Sequence, residues 1–288
     1  MRVKKVSVKR KTPKIMIIEF LNYLSAVKGY TDATVEGYRK DMRYFVEYAH
    51  TWIKDARWSR LTKKDIQDYV VWMHERNLEN TTIRRRLASL RSLFDYAKTS
   101  GMVTENPARF VQAPKIAKKL PRTLAVNTLV DTIEDNTIDL KTRCQIALIL
   151  ETGIRLQEML DLKIEDFNAK DRSIKINGKG QKERIVYYSD FSRNLLNQYA
   201  SRRSGKLFND AQREVRFRVF EALKRHNGNG QLSPHAIRHT FATAMLNNGA
   251  SLSAIQSILG HSSVKTTERY AQIAKPTVKT EYELFKPV

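Results

Sequence analysis

Three of the chain's seven prolines fall within one short stretch, at Pro107, Pro114 and Pro121, and they set the first limit on the fold. A proline has no amide proton to donate and its ring fixes φ, so no regular helix runs through such a segment. The 288 residues therefore divide into roughly one hundred before the stretch and a larger block after it. Two hydrophobic cores are expected at this length. Lys115, Lys118 and Lys119 alternate with the prolines, which makes 107–121 a basic, semi-extended linker.

Upstream, residues 1–14 are basic and poor in apolar side chains and read as an N-terminal arm. Four helices are then expected within 15–106. The first runs from Ile15 to Lys28 and stops at Gly29, a C-terminal cap. The second covers Asp32 to Trp52, with Val35, Tyr38, Met42, Phe45 and Val46 at three- and four-residue spacing. Thr62-Lys63-Lys64-Asp65 has the form of a capping box and opens a helix to Arg76. The fourth, Thr81 to Ser100, aligns Ile83, Leu87, Leu90, Phe94 and Ala97 on one face before Gly101. It also carries Arg84, Arg85, Arg86 and Arg91, either a solvated face or a set of phosphate contacts.

The block from 122 to 288 is again mainly helical, with helices expected at Asp190–Arg203, Asp210–Asn227, Pro234–Asn247 and Leu252–Leu259. Ser233 before Pro234 supplies an N-cap followed by a first-turn proline. The exception is a pair of strand-like runs, Ser173–Asn177 and Glu183–Tyr187, which form a hairpin around Gly178-Lys179-Gly180, with a third short strand nearby. The expected class is thus mainly α (α+β): a four-helix domain, then a larger helical domain with a small antiparallel sheet.

Lys and Arg number 52 against 30 Asp and Glu, a formal charge of +22. The excess divides evenly, with 23 basic and 12 acidic residues in 1–112 and 29 and 18 in 113–288. Both parts are thereby suited to a polyanionic partner, double-stranded nucleic acid foremost. Cys144 is the sole cysteine, so no intramolecular disulfide forms, and its apolar helical setting marks it as structural. The apolar run Ile15-Met16-Ile17-Ile18 ends at Glu19, too short for a signal peptide, and no membrane-spanning run occurs, so a cytoplasmic location is expected.

Chemistry concentrates in the second block. Arg155 follows Thr152-Gly153-Ile154, and Glu158 lies one helical turn on, able to hold its guanidinium. Taken alone, this is also an ordinary surface pair. Lys179 lies at the hairpin tip between glycines that permit close backbone approach, with Lys182 as its competitor. His235 and Arg238, spaced i and i+3, face one point, while His239 points elsewhere. His261 follows Leu259-Gly260 at a helix end, where a histidine also serves as a cap. Tyr270 comes nine residues later. Several cations beside one phenol are what a tyrosine oxygen needs to attack a phosphodiester, since the phosphorane is anionic.

Arg155, Lys179, His235-x-x-Arg238, Leu259-Gly260-His261 and Tyr270, in that order, closely resemble the tyrosine recombinase (phage-integrase-type) family over residues 15–288. The resemblance is to its Xer branch and extends to single-protein archaeal Xer systems. It implies a site-specific recombinase in which Tyr270 forms a 3′-phosphotyrosyl link and strand exchange passes through a Holliday junction. Arg155 and Arg238 would clamp the phosphate. His235 would take the tyrosine proton or bind the phosphate, His261 would donate to it, and Lys179 would protonate the departing 5′ oxygen. Neither metal nor ATP is needed, because transesterification conserves the phosphodiester energy, and no metal or nucleotide motif occurs. The DNA contacts would include Arg84, Arg85, Arg86, Arg91, Lys115, Lys118, Lys119 and Lys182. Four protomers would act on two duplexes, joined through the tail 273–288. Chromosome or plasmid dimer resolution is the expected role; type IB topoisomerase-like relaxation and mobile-element integration are the alternatives.

Overall fold

The computed structural model describes residues 12–53, 58–116, 123–178, 183–201, 204–227 and 232–260. Two compact units, Met1–Lys118 and Lys119–Val288, divide within the expected linker.

The first unit holds four helices: α1 Pro13–Ala26, α2 Asp32–Trp52, α3 Lys63–Glu75 and α4 Asn80–Thr99. α1 begins two residues before the expected Ile15, because the Thr12 side chain accepts the Ile15 N–H and Pro13 occupies the first turn. Thr62 and Asp65 form the expected reciprocal capping box at the start of α3. Ile83, Leu87, Leu90, Phe94 and Ala97 of α4 are all buried, together with Phe20, Phe45, Tyr69 and Trp58. Phe45 packs edge-on against Trp58 and Tyr69, each with ring centroids 5.0 Å apart. Val46, expected in the core, is exposed on α2, and Tyr48 and Ala49 are buried instead.

The expected linker differs as well. The linker does not leave the domain at Pro107, for Ala108 and Val111 are buried in the first core. Arg91 donates to the Ala108 carbonyl at 3.1 Å and the Val111 carbonyl at 2.5 Å, while Asn106 binds the Arg91 carbonyl and Asp95. Side-chain donors replace the amide pairing that proline forbids, so 106–111 packs as part of the first unit.

The second unit is built around α6 Leu140–Thr152, on which Cys144, Ile146, Ala147, Leu148 and Ile149 are all buried. Burial pushes the Cys144 thiol up to about 12, which fits a structural role. α5 Val126–Glu134, α8 Asp190–Ala200, α9 Gln212–Asn227 and α10 Pro234–Asn247 pack around it. Short α7 Leu156–Asp161 follows α6, and α11 Leu252–Leu259 packs on α10. Strands β1 Phe167–Asn168, β2 Ser173–Asn177 and β3 Glu183–Tyr187 form one antiparallel sheet in the order β1-β2-β3. Ile174 pairs with Val186 and Ile176 with Arg184, so these four side chains share the inner face. No helix among the described residues is long and apolar enough to cross a membrane.

Candidate active site

Two helix C-termini meet in the second unit, and the site is assembled on them. α6 ends at Gly153, which takes the left-handed conformation at φ +61°. A side chain there would have no room: a Cβ would lie 2.7 Å from Leu259 and closer still to the Phe241 ring. The chain turns there, and Arg155 becomes the N-cap residue of α7. α11 ends in the same way at Gly260, with φ +61°. The last carbonyls of a helix lack intrahelical donors and carry its negative partial charge, so cations gather on them.

Three guanidiniums do so. Arg184 Nε donates to the Ile258 carbonyl at 2.6 Å, Arg238 Nη2 to Leu259 at 2.8 Å, and Arg155 Nη2 to Gly260 at 2.9 Å. Arg238 also donates to the Gly153 carbonyl and so bridges both helix ends. Its side chain is buried, the whole residue being 2% exposed, whereas Arg155 is 42% exposed at its side chain.

Glu158 is the counter-ion. One of its oxygens accepts from Arg155 Nη1 at 2.7 Å and the other from the Arg155 backbone N–H at 2.8 Å. A two-pronged pair forms with Arg184, at 3.1 and 2.6 Å. Burial pushes the Glu158 carboxyl up, but hydrogen bonds from Arg184 and Arg155 outweigh it and hold its pKa below the usual carboxylate range. Among the described residues three guanidiniums meet one carboxylate, and Arg155 presents its charge to solvent.

His235 lies one turn before Arg238 on α10, as its spacing predicted. Burial, then the charges of Arg238 and Arg155, hold its pKa below the ordinary histidine value, which favours the neutral imidazole. His239, read as pointing away, meets His235 edge-on with centroids 4.2 Å apart. A neutral imidazole beside fixed cations can accept a proton while the cations hold an anion.

Lys179, Lys182, His261 and Tyr270, with Lys118 and Lys119, lie outside the described residues. The structure therefore brings together Arg155, Glu158, His235 and Arg238. Sequence reasoning missed Arg184. Its signal was a charged residue at an inward position of β3, legible only once the register opposite Ile176 is known.

The α4 arginines have mixed settings. Arg84 and Arg85 are exposed, Arg84 donating to the Pro114 carbonyl at 3.2 Å and Arg85 to Asp41. Arg86 was expected on the outer arc. Its side chain is only 15% exposed and stacks on Tyr44, 3.3 Å from the ring centroid. Arg91 serves the 106–111 segment described above. Lys115 is exposed, and its carbonyl accepts from Asn80 at 3.0 Å.

Residues 122–276 match the model of the phage integrase family, and residues 17–101 match its N-terminal SAM-like domain. Among curated proteins, the chain is 27% identical to the tyrosine recombinase XerD of Oceanobacillus iheyensis, covering 94% of this chain and 98% of that protein. It is 28% identical to XerC of Leptospira interrogans, over 93% of this chain and 92% of that one. Among solved structures, the Tn1549 transposon integrase bound to transposon right-end DNA shares the fold, with a TM-score of 0.76 at 19% identity, covering 96% of this chain and 99% of that chain.

Proposed function

Because the chain belongs to the phage integrase family, we propose that it is a site-specific DNA recombinase that cuts and rejoins strands through a 3′-phosphotyrosyl intermediate. The observation that carries this reading is the convergence of Arg155 and Arg238 at the joined ends of α6 and α11, with His235 one turn before Arg238 on α10.

In this reading the scissile phosphate binds against the exposed edge of Arg155, with Arg238 beneath. His235, uncharged, takes the phenolic proton as the Tyr270 oxygen attacks phosphorus. The P–O bond to the 5′ oxygen breaks, and Lys179 delivers the proton that leaves a free 5′-hydroxyl. His261, next in sequence after Gly260, donates to a phosphate oxygen. The guanidiniums offset the charge of the pentacoordinate phosphorane and are already in place, so little reorganisation accompanies the chemistry.

The likeness to XerC and XerD favours resolution of chromosome or plasmid dimers, in the cytoplasm, over mobile-element integration. Strand exchange uses four protomers on two duplexes, joined through the tail 273–288. Arg84, Arg85, Lys115, Lys118, Lys119 and Lys182 contact phosphates, while Arg86 and Arg91 support that surface from behind.

The test is incubation of the full chain with nicked suicide duplexes, selected from a randomised pool for adduct formation. A covalent, protease-sensitive DNA species is expected with the wild type and none with Tyr270→Phe, whose DNA affinity stays within about threefold because a phenol oxygen adds little to a phosphate-dominated interface. Adducts persisting in that variant would move the nucleophile elsewhere. A two-site substrate then yields Holliday junctions from a recombinase and only relaxed DNA from a topoisomerase.

A further inference from the structure

Arg184 stands where the sheet calls for an apolar residue. Its cross-strand partner Ile176 is buried, and next to that pair on the same face Ile174 lies opposite Val186, both fully buried. The Arg184 side chain is only 10% exposed. Burying a guanidinium costs several kcal/mol before pairing, and a well-packed apolar side chain often serves stability as well or better. The fold alone gives no reason to place a charge there.

Its contacts give one. Nη1 and Nη2 fork onto the two Glu158 oxygens, and Nε holds the Ile258 carbonyl. Glu158 in turn holds the guanidinium and the backbone N–H of Arg155. Gly260 packs onto the Arg184 guanidinium so closely that a Cβ there would lie 3.0 Å from its Nη1. One planar group thus ties β3, the start of α7 and the end of α11 together. All three of its donor nitrogens are engaged, in directions a lysine ammonium cannot reproduce at once.

We propose that Arg184 is a positioning residue for DNA cleavage: acting through Glu158 and the Ile258 carbonyl, it fixes the Arg155 guanidinium and the end of α11 from which the chain continues to His261. The inference deepens the recombinase reading and rests on it. Arg184 touches no reacting atom in this account. Its effect is on the alignment of groups that do, where a displacement of about 1 Å costs on the order of 100-fold in rate.

The experiment compares Arg184→Met, which keeps the apolar stem and removes the donors, with Arg184→Lys, which keeps the charge but not the fork. Both are assayed as full chains in single-turnover adduct formation, at saturating concentration of the suicide duplex selected with the wild type. The rate constant is expected to fall about 10- to 100-fold in the methionine variant and by less in the lysine variant. Reaction amplitude stays near wild type, and duplex affinity stays within about threefold, because the phosphate contacts that dominate affinity are kept.

A purely structural Arg184 would lower the amplitude, the fraction of folded enzyme, and leave the rate constant alone. That result, or wild-type rates in both variants, overturns the proposal. If the methionine variant does not fold, the lysine variant decides by the same criterion. A second readout needs no DNA: amide hydrogen exchange over 256–260 is expected to accelerate in both variants, and unchanged exchange would also overturn the proposal. Absence of adducts from the wild type itself would instead defeat the recombinase reading, leaving the exchange measurement to judge Arg184.

Discussion

The two units use arginine in opposite ways. On α4, Arg85 and Arg86 share the single buried carboxylate of Asp41, Arg86 lies flat on Tyr44, and Arg91 holds the carbonyls of an irregular segment. There Arg91 makes a proline-bearing stretch pack as if it were regular structure. In the second unit, Arg155, Arg184 and Arg238 gather on helix-end carbonyls around one Glu158. Carbonyls at a helix end carry partial negative charge, so they hold cations together that would otherwise repel. The first arrangement closes a surface. The second keeps a surplus of charge, with Arg155 turned to solvent. What differs is whether the accepting carbonyls belong to a loop that one guanidinium closes or to a helix end that gathers several cations.

Glycine offers the sharpest way to break this contrast. Gly101, just after α4, and Gly153, at the end of α6, share the left-handed backbone, at φ +68° and +61°. A Cβ at Gly101 would meet nothing within 4 Å, whereas at Gly153 it would strike Phe241 and Leu259. Gly101→Ala should cost about 1–2 kcal/mol, the backbone penalty alone. Gly153→Ala should cost about 2–5 kcal/mol, since overpacking is added to the same penalty. Urea unfolding of both full-length variants measures this. Equal costs would show that the joined helix ends are not held by close packing.

Acid should separate the units next. Glu158 and His235 both have folded pKa values below their unfolded ones, which are about 4.3 and about 6.5. As pH falls, the unfolded chain takes up these protons first, so stability is complete above each unfolded value and drains away as pH drops through the folded one. The second unit therefore loses stability in two stages, the first, from His235, beginning near pH 6.5 and the second below about 4.3, where Asp210 and Asp135, whose pKa values are also held down, join Glu158. Thermal unfolding across that range should show the first stage in the wild type and not in His235→Asn. A first stage that persists in this variant would assign it to another group.

Much of this contrast was legible in the sequence, for reasons tied to particular residues. α2, α10, α11, β2 and β3 fall where periodicity and caps put them, because Thr31, Ser233 and Ser251 accept backbone N–H groups at their starts. Arg155, Glu158, His235 and Arg238 were identified by local spacing and family likeness. Three things were not legible. The packing of 106–111 depends on Arg91, fifteen residues before its loop partner Asn106, and nothing in a proline-rich string announces donors from elsewhere. Arg86 lies three residues after Ile83 and four before Leu90, so the helix phase already set it beside the core, and only its partner Tyr44 on α2 needed the structure. Arg184 needed the strand register, and its carbonyl partner Ile258 is 74 residues away.

The smallest expected effect sharpens the same division within a single helix. Arg84 is exposed and Arg86 is nearly buried, two residues apart on α4. If the exposed face of α4 meets DNA phosphates, Arg84→Ala should weaken duplex binding a few-fold and reduce the slope of log affinity against log salt by about 1, with the unfolding midpoint unchanged. Arg86→Ala should do the reverse. It loses a stacked cation worth about 0.5–2 kcal/mol and leaves Asp41 with one partner fewer, so stability falls while the salt slope holds. Titrating labelled duplex at several salt concentrations, beside urea curves for both variants, reads the two quantities independently. A reduced salt slope in Arg86→Ala would mean that its guanidinium reaches phosphate after all, and that the division between supporting and contacting arginines lies elsewhere on the helix.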